Sequence, residues 1–198
     1  MSGRGVDIEF AFVGTSSAEA SAIEWDMRGV RSASPTPDTR HPAPAVRIAT
    51  LADIETVVEL RIALLREHKD NTLYGRLRID APQRARRIFA EQLEAPNEVT
   101  FLAERGGRPV GILRCIDAVG SPLLHPARYA YVASVYVLPA HRRAGVLRLM
   151  MQEAERWSRE RGLREMRLHN AADNALADHA WEALGFEVVE VLRVRPLG

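Results

Sequence analysis

The chain has 198 residues, 46% of them hydrophobic, with a formal net charge of +1 at pH 7. That suits one ordinary domain with a substantial core, and it excludes a bulk electrostatic pull toward nucleic acid or an anionic membrane. No apolar run approaches the ~18 residues of a membrane span, and no basic start leads into an apolar core, so a cytoplasmic protein is expected.

Residues 1–45 read as a tail or linker. Arg31 to Pro44 is rich in Ser, Thr and Arg, and Pro35, Pro37, Pro42 and Pro44 are closely spaced. Val6 to Val13 is apolar enough to be a stray strand or an extension that is never ordered. The domain, residues 46–198, opens with a strand over Val46–Thr50. Thr50 and Asp53 form a T-x-x-D capping signal for a helix over Ala52–Glu67, with Ile54, Val57, Val58, Ile62 and Leu65 at helical spacing. A polar loop covers His68–Arg78. Pro82 sits in the first turn of a second helix that runs to Glu94. Strands over Val99–Glu104 and Pro109–Asp117 flank the turn signal Gly106-Gly107. A loop over Val119–Arg128 leads to the longest β-like run, Tyr129–Val137. A helix over Gly145–Arg161, stopped by Gly162, precedes a strand over Glu165–His169. A last helix covers Asp173–Leu184, with Gly185 as its stop, and Phe186–Val194 reads as one long strand or a bent pair. The expected class is α/β (α+β): a mixed, mostly antiparallel central sheet flanked by helices on both faces.

Cys115, the only cysteine, excludes an internal disulfide and lies in an apolar run, so it reads as a small buried hydrophobe rather than a nucleophile. Lys69 is the only lysine beside many arginines, which codon usage explains better than a phosphate-binding surface.

The most informative stretch is Val137-Leu138-Pro139-Ala140-His141-Arg142-Arg143-Ala144-Gly145-Val146. A strand ends, proline breaks the ladder, and a helix begins just after a glycine. Main-chain N–H groups near Arg143, Gly145, Val146 and Leu147 then face one point with a helix dipole behind them, a setting for a phosphate-bearing ligand. Gly145 permits close backbone approach and positive φ, and Arg142 and Arg143 add mobile charge. A surface turn with its arginines in water is the other reading of these residues.

This stretch resembles motif A of the GNAT superfamily of N-acetyltransferases, Gln/Arg-x-x-Gly-x-Gly/Ala. Arg142 and Gly145 match, Arg143, Ala144 and Val146 fill the free positions, and Leu147 departs from the last small residue. Asn174 to Phe186 resembles motif B, N-x-x-A-x-x-x-Y-x-x-x-G-F: Asn174, Ala177, Gly185 and Phe186 match, and Trp181 stands where tyrosine is usual. Trp181 reads either as a core residue or as a wall beside a pantetheine arm. The resemblance covers residues 46–198.

The resemblance implies acetyl-CoA as cosubstrate, no metal, and direct acyl transfer from the thioester to a primary amine of a small molecule or peptide. It implies a pyrophosphate held by Arg142, Arg143, Ala144, Gly145, Val146 and Leu147, and a pantetheine arm along Val135, Val137, Asn174 and Trp181. A backbone N–H near Val137 would stabilise the oxyanion. Trp181 does not release its indole proton, so Tyr136, Ser134 or water stands in as the acid, or none is needed. Asp117 and His125 lead the candidate bases; Glu67, His68, His169 and a water chain stay open. The acceptor pocket is expected from the His68–Arg78 loop with Tyr74, Tyr129 and Tyr131. The C-terminal strand could pair across a homodimer. Two other readings stay open: a non-catalytic acyl-CoA sensor, and a domain without cofactor that serves in protein association.

Overall fold

A computed structural model of the protein describes residues 42–197. The tail expected over residues 1–45, with its apolar run Val6–Val13, lies almost wholly outside the described residues. The strands are β1 (Ala45–Ile48), β2 (Glu98–Arg105), β3 (Arg108–Val119), β4 (Arg128–Val137) and β5 (Met166–Leu168). The helices are α1 (Ile54–Glu67), α2 (Ala81–Leu93), α3 (Val146–Glu160) and α4 (Ala175–Glu182). The five strands stand in sequence order across one sheet, antiparallel throughout except for the parallel pair β4–β5.

The capping signal before α1 is real and is reinforced from the sheet. The Thr50 N–H donates to the Asp53 carboxylate at 2.9 Å, and the guanidinium of Arg47 grips the same carboxylate at 2.7 and 2.8 Å while reaching Glu104 on β2. Arg47 holds the Asp53 carboxyl well below the usual carboxylate range. A short 3₁₀ turn, Leu51–Asp53, precedes the α-helix proper.

Each sheet face carries its own core. On one face, Leu102, Ile112 and Tyr136 pack with Val57, Leu60 and Leu64 of α1 and Phe89 of α2. On the other, Phe101, Leu113, Val132, Val135 and Val137 pack with Met150, Met151 and Trp157 of α3 and with Trp181 of α4. Cys115 is fully buried beside Ser158, and burial pushes its thiol up to about 11, as suits a structural residue.

β4 contains the main irregularity. Ile112 pairs with Tyr136 and Arg114 with Ala133, so Ser134 and Val135 together oppose Leu113. This is a β-bulge, with Ser134 in the left-handed region at φ 53°. The extra residue resets the alternation of faces: Tyr131 and Ala133 precede it on the α1 side, and Val135 and Val137 come after it on the α3 side.

The strand expected over Phe186–Val194 does not form. No strand pairing is present there, and Val188, Val189, Val191, Leu192 and Val194 are exposed. The β-branched residues that suggest a strand favour one only where a neighbouring strand supplies hydrogen bonds and packing. Among the described residues that neighbour is missing.

The loop between α1 and α2 is tight. The Gly75 N–H donates to the Asn71 carbonyl at 2.8 Å, and a Cβ on Gly75 would stand 2.0 Å from the Lys69 carbonyl oxygen. Gly75→Ala is therefore expected to force this loop open at a cost of about 1–3 kcal/mol. Faster hydrogen exchange confined to residues 69–76, with α3 unchanged, is the measurement that checks it.

Candidate active site

The site begins where β4 loses its neighbour. β5 pairs with β4 only over Ala130–Val132, and β4 runs on to Val137. The Leu138 N–H donates to Val110 on β3 at 2.9 Å. By alternation, the main-chain groups of Val137 point the other way, into the gap that β5 has left. Val135 lies on the same rungs beyond the bulge. Among the described residues no strand pairs with this edge, so the cleft presents a row of peptide groups, as a long amide-bearing ligand requires.

The N-terminus of α3 stands at the end of this edge. Gly145 caps the helix at φ 78°, and a Cβ there would meet no atom within 4 Å. The glycine is required by its backbone angle, and the space beside it is open. The first turn has no acidic side chain. Its leading N–H groups have no intrahelical partners, and Arg143, Ala144 and Gly145 are exposed beside them. Arg143 is also left-handed, at φ 57°. Val146 is buried, and Leu147 packs against the α3-side core. The Leu147 side chain thus points away from the helix tip, and its departure from the family's small residue leaves the tip clear.

Arg142 does not supply the mobile charge expected of it. Its Nε donates to the Val137 carbonyl at 2.9 Å, and one terminal nitrogen, Nη2, donates to both oxygens of Glu67 at 2.8 and 2.7 Å. The guanidinium also lies 5.6 Å from the centre of the Tyr136 ring. It ties the end of β4 to the end of α1. The Val137 carbonyl is thereby occupied, and by the alternation of the strand the Val137 N–H faces the gap.

Asn174 is fully buried and is the N-cap of α4: its side-chain oxygen accepts from the Ala177 N–H at 3.1 Å. Trp181 is 3% exposed and meets Phe186 edge-on, with ring centres 5.5 Å apart. Both conspicuous residues of the second motif therefore shape the α3-side core. The Trp181 indole N–H is buried with no protein partner.

The leading base candidates fall away from the cleft. Asp117 is bound through both oxygens by Arg128, and its rung, opposite Ala130, belongs to the face away from Ile116 and Ala118. His125 is exposed in the loop before β4. Six residues of β4, from Arg128 to Ala133, precede the bulge, about 20 Å at ~3.3 Å per residue. Tyr136 is buried on the α1 side, where burial and the nearby Glu67 carboxylate push its hydroxyl up to about 12.

A different group gathers at the cleft. The Tyr131 hydroxyl and His169 Nδ1 are 2.9 Å apart, with ring centres at 5.7 Å. His68, 5% exposed, meets Tyr74 edge-on at 6.2 Å. Burial lowers the basicity of both histidines. The sequence offers each of these residues singly. The parallel rungs Tyr131–Arg167 and Val132–Leu168 bring the tyrosine and the histidine together.

The clamp is separable from the helix tip by experiment. Arg142→Ala and Glu67→Ala are each expected to lower stability by about 3 kcal/mol, because each leaves a half-buried charge without its partner. Urea denaturation checks this. The double variant should cost little more than either single one.

Comparison with known proteins agrees with this geometry. Residues 62–186 match the model of the Acetyltransferase (GNAT) family. An aminoglycoside N(6')-acetyltransferase type 1 from Acinetobacter haemolyticus is 35% identical over 60 residues, covering 30% of this chain and 41% of that protein. A protein of the same name from Salmonella typhimurium is 28% identical over 103 residues, covering 50% of this chain and 70% of that one. The chain thus spans about two fifths of the length of the first relative, 41%. Among solved structures, AAC(6')-Iy in complex with the bisubstrate analogue CoA-S-monomethyl-acetylneamine superposes with a TM-score of 0.62 at 21% identity, over 78% of this chain and 98% of that one. With its family matched along most of its length and its sheet opened beside a helix tip, the chain belongs to the GNAT family of acetyltransferases.

Proposed function

We propose that the protein transfers an acetyl group from acetyl-CoA to a primary amine of a small molecule, by direct attack of the amine on the thioester. The observation that carries this reading is the unpaired edge of β4 meeting the open N-terminus of α3. Peptide groups of Val135 and Val137 suit an amide-bearing pantetheine arm, and the leading N–H groups of α3 suit a pyrophosphate. Arg143, exposed beside the tip, supplies charge to the phosphates, and Ala144 and Gly145 let the backbone approach them. Arg142 and Asn174 serve through position: one fixes the strand end, the other caps α4.

The residues divide the chemistry between them. The Val137 N–H, its carbonyl held by Arg142, is the donor for the oxygen that becomes negative as the amine adds. A thiol with a pKa of ~8.5 leaves tolerably as its anion, so a buried Trp181 in place of tyrosine does not stop turnover. Among the described residues no group of three or more His, Cys, Asp and Glu side chains could hold a metal ion. The names of the relatives support a small polycationic acceptor, an aminoglycoside amine above all. Use of an intracellular cosubstrate supports a cytoplasmic location, and no described helix is long and apolar enough to cross a membrane. The exposed apolar segment 187–197 supports a homodimer in which it adds to the sheet of a second copy.

The test is thiol release from acetyl-CoA in the presence of neamine, spermidine or a lysine-containing peptide, beside calorimetry with acetyl-CoA alone. Release with neamine supports the reading. Binding without release from any amine overturns it. Gly145→Val is expected to weaken acetyl-CoA binding by about tenfold or more, since a β-branched residue resists the left-handed cap by ~1–2 kcal/mol. Trp181→Tyr is expected to keep or raise turnover, whereas Trp181→Ala should cost about 3–5 kcal/mol of stability by emptying the core.

A further inference from the structure

The transferase reading leaves one task without a residue. An amine that is cationic in water must lose a proton before it attacks. Four of the carboxylates and histidines that the sequence offers are occupied or displaced. Asp117 is bound by Arg128 through both oxygens. Glu67 is bound by Arg142 through both oxygens. His125 lies beyond the far end of β4. His68 is buried against Tyr74.

His169 differs in its place in the sheet. It is the first residue past β5, and extending the parallel register sets it level with Ala133, one residue before the bulge. It therefore stands where β4 and β5 part. Tyr131, its hydrogen-bond partner, belongs to the α1-side sheet face with Ile116 and Ala133. That is the face opposite α3, and the tip of α3 is the phosphate end of the cleft. His169 is half-buried.

We propose that His169 is the base that takes the proton from the attacking amine, with Tyr131 as the positioning residue that fixes its ring. The inference rests on the transferase reading. The ammonium gives one proton to the imidazole of His169. The nitrogen lone pair then forms a bond to the thioester carbonyl carbon, and the C–S bond breaks as the oxyanion collapses. The second nitrogen proton ends on the departing sulfur, and His169 returns its proton to water. The products are an amide, free coenzyme thiol and one released proton.

The surroundings keep the imidazole neutral and ready. Burial lowers its basicity, and Glu190 of the C-terminal segment partly restores it. Tyr74, in the loop after α1, lies within electrostatic reach of Tyr131. A histidine shifted below its ordinary ~6.5 is unprotonated throughout neutral pH. Activity should fall only as acid protonates it.

The experiment uses the full chain with acetyl-CoA and whichever of neamine, spermidine or the lysine peptide the wild type acetylates fastest. His169→Gln is expected to lose ~100-fold or more in kcat, with acetyl-CoA affinity unchanged by calorimetry and the acid limb of the pH profile gone. Tyr131→Phe is expected to keep that limb but shift its midpoint, at a loss of ~10-fold, since the ring stays but its orientation relaxes. In the wild type, the NMR titration midpoint of the histidine that Tyr131→Phe perturbs should match the kinetic limb. A His169→Gln protein of near-normal turnover with the same limb overturns the assignment to His169 alone, as does a mismatch between the two midpoints. A wild type that binds acetyl-CoA and acetylates none of the three amines overturns the transferase reading, and this role falls with it.

Discussion

The architecture of the site depends on one strand outrunning its neighbour. β4 continues past the point where β5 turns away, and a single extra residue at Ser134 rotates the remainder of the strand. A sheet interior normally satisfies every peptide group from both sides. Here one side is left open in the middle of a well-packed domain, where a ligand can complete the ladder. The buried faces on both sides of the sheet hold this arrangement rigid, so the open edge does not have to be organised at the moment of binding.

The gap would be of little use if its upper end could drift. The pairing of Arg142 with Glu67 prevents that, because it fastens the last residue of β4 to the last turn of α1. An arginine is needed there, since its planar fork serves a backbone carbonyl and a carboxylate at once. The same contact divides labour within the loop: one arginine is committed inside, and the next is left to face solvent. Adjacent residues of identical type thus do different work.

Most of the fold was legible in the sequence, because its elements arise from local signals. The T-x-x-D cap, Pro82 at the start of α2, the Gly106-Gly107 hairpin and the apolar stripe of α3 each act over a few residues. The helix tip was legible for the same reason, as glycine before an apolar run has few other uses. The C-terminal segment was misread because strand formation is a property of pairs, and its composition says nothing of whether a partner exists. Site chemistry was hardest to read. Asp117 and His125 looked suitable as isolated side chains, but an ion pair and a strand's length remove them. The Tyr131–His169 contact depends on parallel register between residues 38 apart, which no local pattern encodes.

Lys69 carries the only ε-amino group in the sequence. It is exposed on the loop after α1, next to buried His68. The acetyl transfer proposed above would therefore meet almost no lysine surface on the chain itself. Any adduct on a lysine of this sequence is confined to that one position, two residues past the end of α1. Self-modification of lysine would then mark a single loop instead of spreading over the molecular surface.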